Sequence, residues 1–444
     1  MFHVATLEMR RHVGWRINQI SCTKQAAQVD KHWWSHSMKH VVSYELLLSL
    51  FVYSGLYKGY PVLANLPVDL TLALGVSCVV SACLMLFLRR VRITRIQVVI
   101  TGVALLFFIW MAFSSIWGTD SYVAMHKATV MLPTVMIGFL GSVLVVSSSE
   151  TRCRRLINCI VMLAIAQSVT VVTEYVTQRP VSSLYVQSGD YLGSGQLIGM
   201  AWTAVYCRIV FEKQTPRRRA VGWGGLLFLG AAMMFLGGKQ GIFGIIATMG
   251  LSLMASGSMT GDVRRLRKAI TAIILVVSAV AVGIRLTMDR GQTLPTAYRM
   301  MSMLASPGSS SSVESRVRLM RQAYEGWLSQ PIVGQGLGSF GPNTGRGSVR
   351  AYPHNIMLEI LYEGGLIGLV GATNLVVLSI RTFRRNRFAK VDGLAASVLL
   401  MFIFASITMM VSNTYADSRH FFMILGLLPV RRERKLASCS VRTE

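Results

Sequence analysis

The stretch LALGVSCVVSACLMLFL, Leu72 to Leu88, followed at once by RRVRITR, Arg89 to Arg95, decides the fold. It is apolar from end to end and approaches the roughly 20 residues that a helix needs to cross a bilayer. AITAIILVVSAVAVGI, Ala269 to Ile284, repeats the pattern. In lipid every backbone group must be satisfied internally, so long uncharged runs of this kind are helices rather than open strands. Working outward, similar runs predict spans near 41–57, 67–88, 97–117, 128–147, 156–176, 191–211, 219–237, 241–257, 269–287, 355–380, 393–412 and 418–430, about twelve transmembrane helices in all. The expected fold class is therefore all-α, a polytopic membrane helix bundle. The composition agrees, with 52% hydrophobic and only 14% charged residues, where a soluble domain carries about 25%.

The net charge of +26 must be divided by side of the membrane before it is read as a nucleic-acid signal. With both termini in the cytoplasm, that side receives Arg89–Arg95, Arg152–Arg155, Lys213–Arg219, Arg264–Lys268, Arg381–Lys390 and Arg431–Lys435. The short opposite loops keep only Lys58, Lys127, Arg179, Lys239 and Arg419. Most of the charge thus sets topology, and no recognition motif points to nucleic acid. The expected organisation is a cytoplasmic tail over 1–40 (with Trp33 and Trp34 as interface anchors), a bundle over 41–430, and a second tail over 431–444. The seven cysteines fall in expected helices or cytoplasmic segments without CxxC or Cys/His spacing, so neither disulfide nor metal is implied.

One connection is long. Residues 286–354 lie outside the membrane between the ninth and tenth spans, and loops beyond about 12–15 residues are usually functional or disordered. Ser311 and Glu314 have capping-box spacing, and Val313, Val317, Met320, Tyr324 and Trp327 form an apolar face at helical period. Arg318 and Arg321 lie off that face, Arg321 with Glu325 at i,i+4. This predicts an amphipathic helix lying at the outer membrane boundary or on the bundle. From Arg285 to His354 the loop has eight arginines against Asp289, Glu314 and Glu325. Positive charge where topology does not ask for it suggests an anionic ligand; a helix facing solvent or lipid headgroups is the plainer reading.

Three motifs stand around this loop: Ser315-Arg316 followed by PIVGQGLGSF, Pro331 to Phe340; HNIMLEILYEGGLIG, His354 to Gly368; and GGKQG, Gly237 to Gly241. The GxGxG within the first reads as a tight turn, since no strand precedes it as a dinucleotide site requires. In order, spacing and placement these motifs resemble the O-antigen ligase and Wzy-type polymerase family of glycan-assembly enzymes. The resemblance implies a GT-C-like bundle in the bacterial inner membrane with its large periplasmic loop at 286–354. The implied activity is transfer of a glycan from undecaprenyl diphosphate to an acceptor hydroxyl, most readily by polymerising O-antigen or exopolysaccharide repeat units. Ligation onto lipid A-core is the alternative; a lipid-linked-glycan flippase is the alternative from another class. Implied partners are the lipid-linked glycan, the glycan or lipid A-core acceptor, the bilayer, and a flippase or chain-length regulator.

The chemistry needs fixed cations beside the departing diphosphate and a base for the hydroxyl. The resemblance assigns His354 as base and Arg316 as catalytic cation. Lys239, Arg318, Arg321 and Asn355 are substrate-binding candidates, with Arg346 and Arg350 on a basic rim. Lys239 departs from the family's usual arginine and lacks its bidentate fork. No cofactor and no metal is expected. Glu359, Glu363 and Gly365 are structural candidates: a carboxylate at membrane depth is a functional hypothesis by default, yet Glu363 and Glu359 fit buried partners that hold helices together. His354, Leu358, Leu361, Gly365 and Gly368 are expected on one continuous helical face.

Overall fold

Each apolar run begins or ends where local chemistry dictates. In the computed structural model, which describes residues 43–58, 60–88, 90–178, 191–259, 263–290, 294–305, 311–346, 351–387 and 392–431, Asp69 starts the second long helix by accepting from the Thr71 and Leu72 amides at 2.8 and 3.0 Å. Thr94 and Gln97 form a capping box at the head of the third. Thr215 caps a helix whose first residue is Pro216 and whose last turn closes on left-handed Gly237. Asp392 caps the next-to-last.

The long helices are α1 (Tyr44–Val52), α2 (Leu70–Phe87), α3 (Arg95–Phe113), α4 (Ser121–Ser148, with two π turns), α5 (Glu150–Gln178), α6 (Tyr191–Phe211), α7 (Pro216–Leu236), α8 (Lys239–Met259), α9 (Val263–Arg290), α10 (Pro295–Ala305), α11 (Ser311–Ser329), α12 (Ile356–Arg387), α13 (Gly393–Ser412) and α14 (Arg419–Leu427). No strand occurs among the described residues. Seven of the described helices are long and apolar enough to cross a membrane: α2, α3, α4, α5, α7, α12 and α13. Every span expected from the sequence falls on a helix, but α1 and α14 have nine residues each, about 14 Å, against a hydrocarbon core of about 30 Å. The tail 1–40 with Trp33 and Trp34, and all of 431–444 but Arg431, lie outside the described residues.

Large apolar side chains stand exposed along α2 and α3, among them Leu72, Leu84, Leu106 and Ile109. This is the surface a lipid solvent permits and water does not. The interior is organised on α6, buried along nearly its whole length against α5, α7, α8 and α13. Phe404 of α13 fills the space left by Gly199 of α6 and Gly244 of α8; a Cβ at either glycine would stand 2.3 or 2.7 Å from its ring. Small residues of this kind let membrane helices approach closely.

Several basic residues make their contacts at one end of the bundle. There Arg152 meets Glu45 at 3.4 Å and Arg154 meets Glu212 at 2.7 Å. Lys268 donates to the Ile209 carbonyl, and the Arg431 amide to that of Ser147. At the other end Lys58 pairs with Asp69, and Arg419 holds the Phe51 carbonyl and the Ser54 hydroxyl.

α12 is not one continuous helix, which corrects the expected single face from His354 to Gly368. Its chain breaks at Gly365 (φ 64°, ψ −163°). PIVGQGLGSF docks in the break. The amides of Gln335 and Gly336 donate to the carbonyls of Tyr362 and Glu363 at 2.7 and 3.1 Å. The amides of Leu366 and Ile367 donate to the carbonyls of Pro331 and Ile332. Trp110 takes the Gly364 carbonyl, and Trp117 that of Gly334. A broken helix at membrane depth survives only where neighbouring protein satisfies the freed groups in this way. The glycines follow from the same geometry: a Cβ on Gly365 would stand 2.1 Å from the Ile332 carbonyl oxygen, and one on Gly334 2.5 Å from the Gly365 amide. Gly365→Ala is therefore expected to cost about 1–3 kcal/mol through backbone strain alone, with the clash added; a thermal melt in detergent lower than wild type measures it, and an unchanged melt would refute the docking.

α11 packs on α12, but through a different face from the expected one. Leu319 and Ala323 are buried, and Gly326 abuts the Tyr362 ring, whereas Val317 and Tyr324 are exposed. The physical reason is close approach: Ala323 and Gly326 let α11 lie directly on the Tyr362 ring, and that contact turns Val317 and Tyr324 outward. The capping box at Ser311 lies outside the described side chains.

Candidate functional site

The GGKQG turn joins α7 to α8. Gly237 needs its left-handed conformation (φ 79°) to end α7, and Gly241 lies against the backbone of Gly195 on α6, 3.3 Å from a Cβ position. Lys239 is thereby set at the first residue of α8, where helix amides and the dipole favour an anion. α10 buttresses the turn: Thr296 accepts from the Gly237 amide at 2.8 Å, and Arg299 donates to the Gly237 carbonyl at 2.9 Å. Arg299 also lies over the Tyr191 ring.

Lys239 feels the charges of both Arg299 and Arg316. Arg316, on the first turns of α11, donates to the Val411 carbonyl at the end of α13 at 3.3 Å. His354 in turn feels Arg316 and Arg346. Arg316 therefore connects Lys239 and Arg299 on one side with His354 and Arg346 on the other. Arg299 has no motif around it; the signal that could have found it was the unexplained basicity of the long loop.

His354 is the one non-glycine residue with positive φ (61°) among the described residues. Such a conformation is strained and persists only when its surroundings over-determine it. Asn355 helps to do so: its side-chain oxygen caps α12, accepting from Met357 and Leu358 at 3.0 and 3.1 Å. Tyr352 packs its ring 4.4 Å from the imidazole and donates to the Ser412 carbonyl at 2.9 Å. The imidazole Nδ1 is buried and has no hydrogen-bond partner among the described residues. Burial, then the guanidinium groups of Arg316 and Arg346, push its pKa from 6.5 down to about 4. The ring is thus neutral near pH 7.

Below His354 lies a buried ionic cluster. Lys127 of α4 donates to Glu359 at 2.8 Å and to both oxygens of Glu363 at 2.7 and 2.9 Å. Thr414 and the Tyr415 amide donate to Glu359 at 2.5 and 3.1 Å, and the Tyr415 hydroxyl to Glu363 at 2.6 Å. All three ionic groups are buried, both carboxylates with 0% exposure. This corrects the reading of Lys127 as a loop charge: α4 begins seven residues earlier than the expected 128, at Ser121, because two carboxylates hold the ammonium within the bundle. Glu359 and Glu363 sit here rather than beside the arginines.

The remaining candidates separate. Arg318 is exposed, and Arg321 is exposed and paired with Glu325 at 2.8 Å. Arg350 lies outside the described residues. Gly365 forms the break in α12.

With this geometry in view, residues 224–373 match the family described as O-Antigen ligase. The match opens in α7 and closes in α12, so it takes in GGKQG, Arg299, Arg316, the docking loop and His354 together. No curated protein matches the chain.

Proposed function

We propose that this chain, whose residues 224–373 match the family described as O-Antigen ligase, is a membrane glycosyltransferase that moves a glycan from undecaprenyl diphosphate to an acceptor hydroxyl. The observation that supports this most is that Arg316, held by the Val411 carbonyl, acts on both Lys239 and a neutral His354, while Arg299 is held on the Gly237 carbonyl of the Lys239 turn. The acceptor oxygen attacks the anomeric carbon, His354 takes its proton, and the bond to the diphosphate oxygen breaks. The charge gathering on that oxygen meets Lys239, Arg299 and Arg316, the two arginines fixed in advance by the Gly237 and Val411 carbonyls. Arg299 supplies the planar fork that Lys239 lacks.

In this reading the chain is a multi-pass protein of the inner membrane, with about twelve spans in a GT-C-like bundle. Both tails are cytoplasmic, and the end holding His354 faces the periplasm. Polymerisation of repeat units is the primary reaction; the description of the matching family favours ligation onto lipid A-core as the second. Purified protein given lipid-linked repeat units alone should build a ladder of longer lipid-linked glycans if it is a polymerase, and should transfer only when lipid A-core is added if it is a ligase. Flux of intact donor across liposomes without turnover would instead support a flippase.

The depressed histidine makes a pH prediction. Activity requires the neutral ring, so it is lost as pH falls through the histidine's own pKa. The acid limb of kcat/KM should lie near 4, not 6.5. Arg346→Ala removes a positive neighbour, makes protonation easier and should move that limb upward. A pH–rate profile checks both; an acid limb at 6.5 in the unaltered protein would contradict the electrostatic account.

A further inference from the structure

We propose that the turn Ser412–Asn413 is a sugar-binding subsite, holding the sugar attached directly to the diphosphate; the proposal rests on the transfer reaction above. α13 ends at Ser412, and Asn413 continues in extended conformation (φ −137°, ψ 159°). The turn is pinned on both sides. Upstream, Arg316 and Tyr352 take the carbonyls of Val411 and Ser412. Downstream, Thr414 and Tyr415 are fastened to Glu359.

Between these anchors, polar atoms are left over. The Ser412 hydroxyl and the Asn413 Nδ2 are buried without a hydrogen-bond partner among the described residues, and so is Nδ1 of His354, whose ring lies against Tyr352. Ser412 is only 1% exposed. Buried polar groups are normally satisfied, and leaving one unpaired is unfavourable. Three such atoms around one rigidly held turn suit a ligand that brings its own hydroxyl groups. The chemistry of the turn says which part of the substrate this is. Ser412 and Asn413 are neutral and match hydroxyl or N-acetyl groups, whereas the diphosphate has its cations in Lys239, Arg299 and Arg316. Arg316 touches the residue before Ser412 and Tyr352 touches both Ser412 and His354. The turn therefore stands between the cations and the base, where the anomeric sugar must lie.

The test is binding, with the full-length protein in nanodiscs. The probes are bare undecaprenyl diphosphate and the same lipid carrying N-acetylglucosamine or galactose. Wild type is expected to bind at least one sugar-bearing probe about tenfold more tightly than the bare lipid, the worth of one or two neutral hydrogen bonds. Ser412→Ala with Asn413→Ala should erase that increment and leave bare-lipid affinity unchanged. Asn413→Asp, which keeps the side-chain shape but replaces the donor, should reduce the increment. An increment that survives in the double variant, no increment in wild type, or an equal loss for bare and sugar-bearing lipid would each overturn the subsite. Failure of wild type to bind any lipid diphosphate would overturn the transfer reaction as well, which separates the two claims.

Discussion

His354→Ala is expected to lower turnover of the lipid-linked donor by about 10²–10⁴-fold, the range for losing a positioned general base. The charged groups around His354 in this neighbourhood, Lys239, Arg299, Arg316 and Arg346, are cations, and the Tyr352 hydroxyl beside it is engaged with the Ser412 carbonyl. His354→Asn keeps a polar side chain that tolerates the positive φ but accepts no proton, so it should fall as far. That comparison separates chemistry from backbone strain: were only the unusual conformation at stake, asparagine would recover most of the activity. The measurement is single turnover with radiolabelled donor, alongside donor affinity. The rate should fall while affinity stays within a few-fold.

The second large effect is on stability. Lys127→Ala leaves Glu359 and Glu363 facing each other without a counter-ion in the interior. Breaking a buried ion pair by removing one partner costs roughly 3–5 kcal/mol, enough to unfold much of the protein or to force protons onto the carboxylates. The pairing also joins α4, α12 and the Thr414–Tyr415 segment, so the loss should spread to His354, five residues before Glu359. Lys127→Met combined with Glu359→Gln and Glu363→Gln removes every charge together and should recover a large part of the lost stability, because the isolated charges are what is costly. Melting temperatures in detergent test this; a single Lys127→Ala variant as stable as wild type would show that the cluster contributes nothing.

How much of this was legible beforehand follows from the range of the interactions. The helices could be read because an uncharged run and its capping residue are local, as with Asp69 before Leu70 or Thr215 before Pro216. The glycine-rich stretch from Pro331 was legible as a turn, but not its purpose, since the break at Gly365 that it fills is created by the contact itself. The ionic cluster was hidden because Lys127 and Glu363 stand 236 residues apart, and nothing local distinguishes a loop lysine from a buried one. The packing face of α11 was misread because periodicity reports where apolar residues lie, not where small residues such as Ala323 and Gly326 permit close approach. Lys239, Arg316 and His354 could be picked out by motif alone. Arg299, Ser412 and Asn413 could not, because their significance lies in what other segments bring to them.

The measurement that bears most directly on the central claim is the affinity of bare undecaprenyl diphosphate for wild type and for Lys239→Ala, Arg299→Ala, Arg316→Ala and His354→Ala. If the cations form one diphosphate site, each cation variant should bind at least about tenfold more weakly, as expected for losing a charge-assisted hydrogen bond, while His354→Ala binds like wild type. Equal affinity across all five proteins would contradict the account.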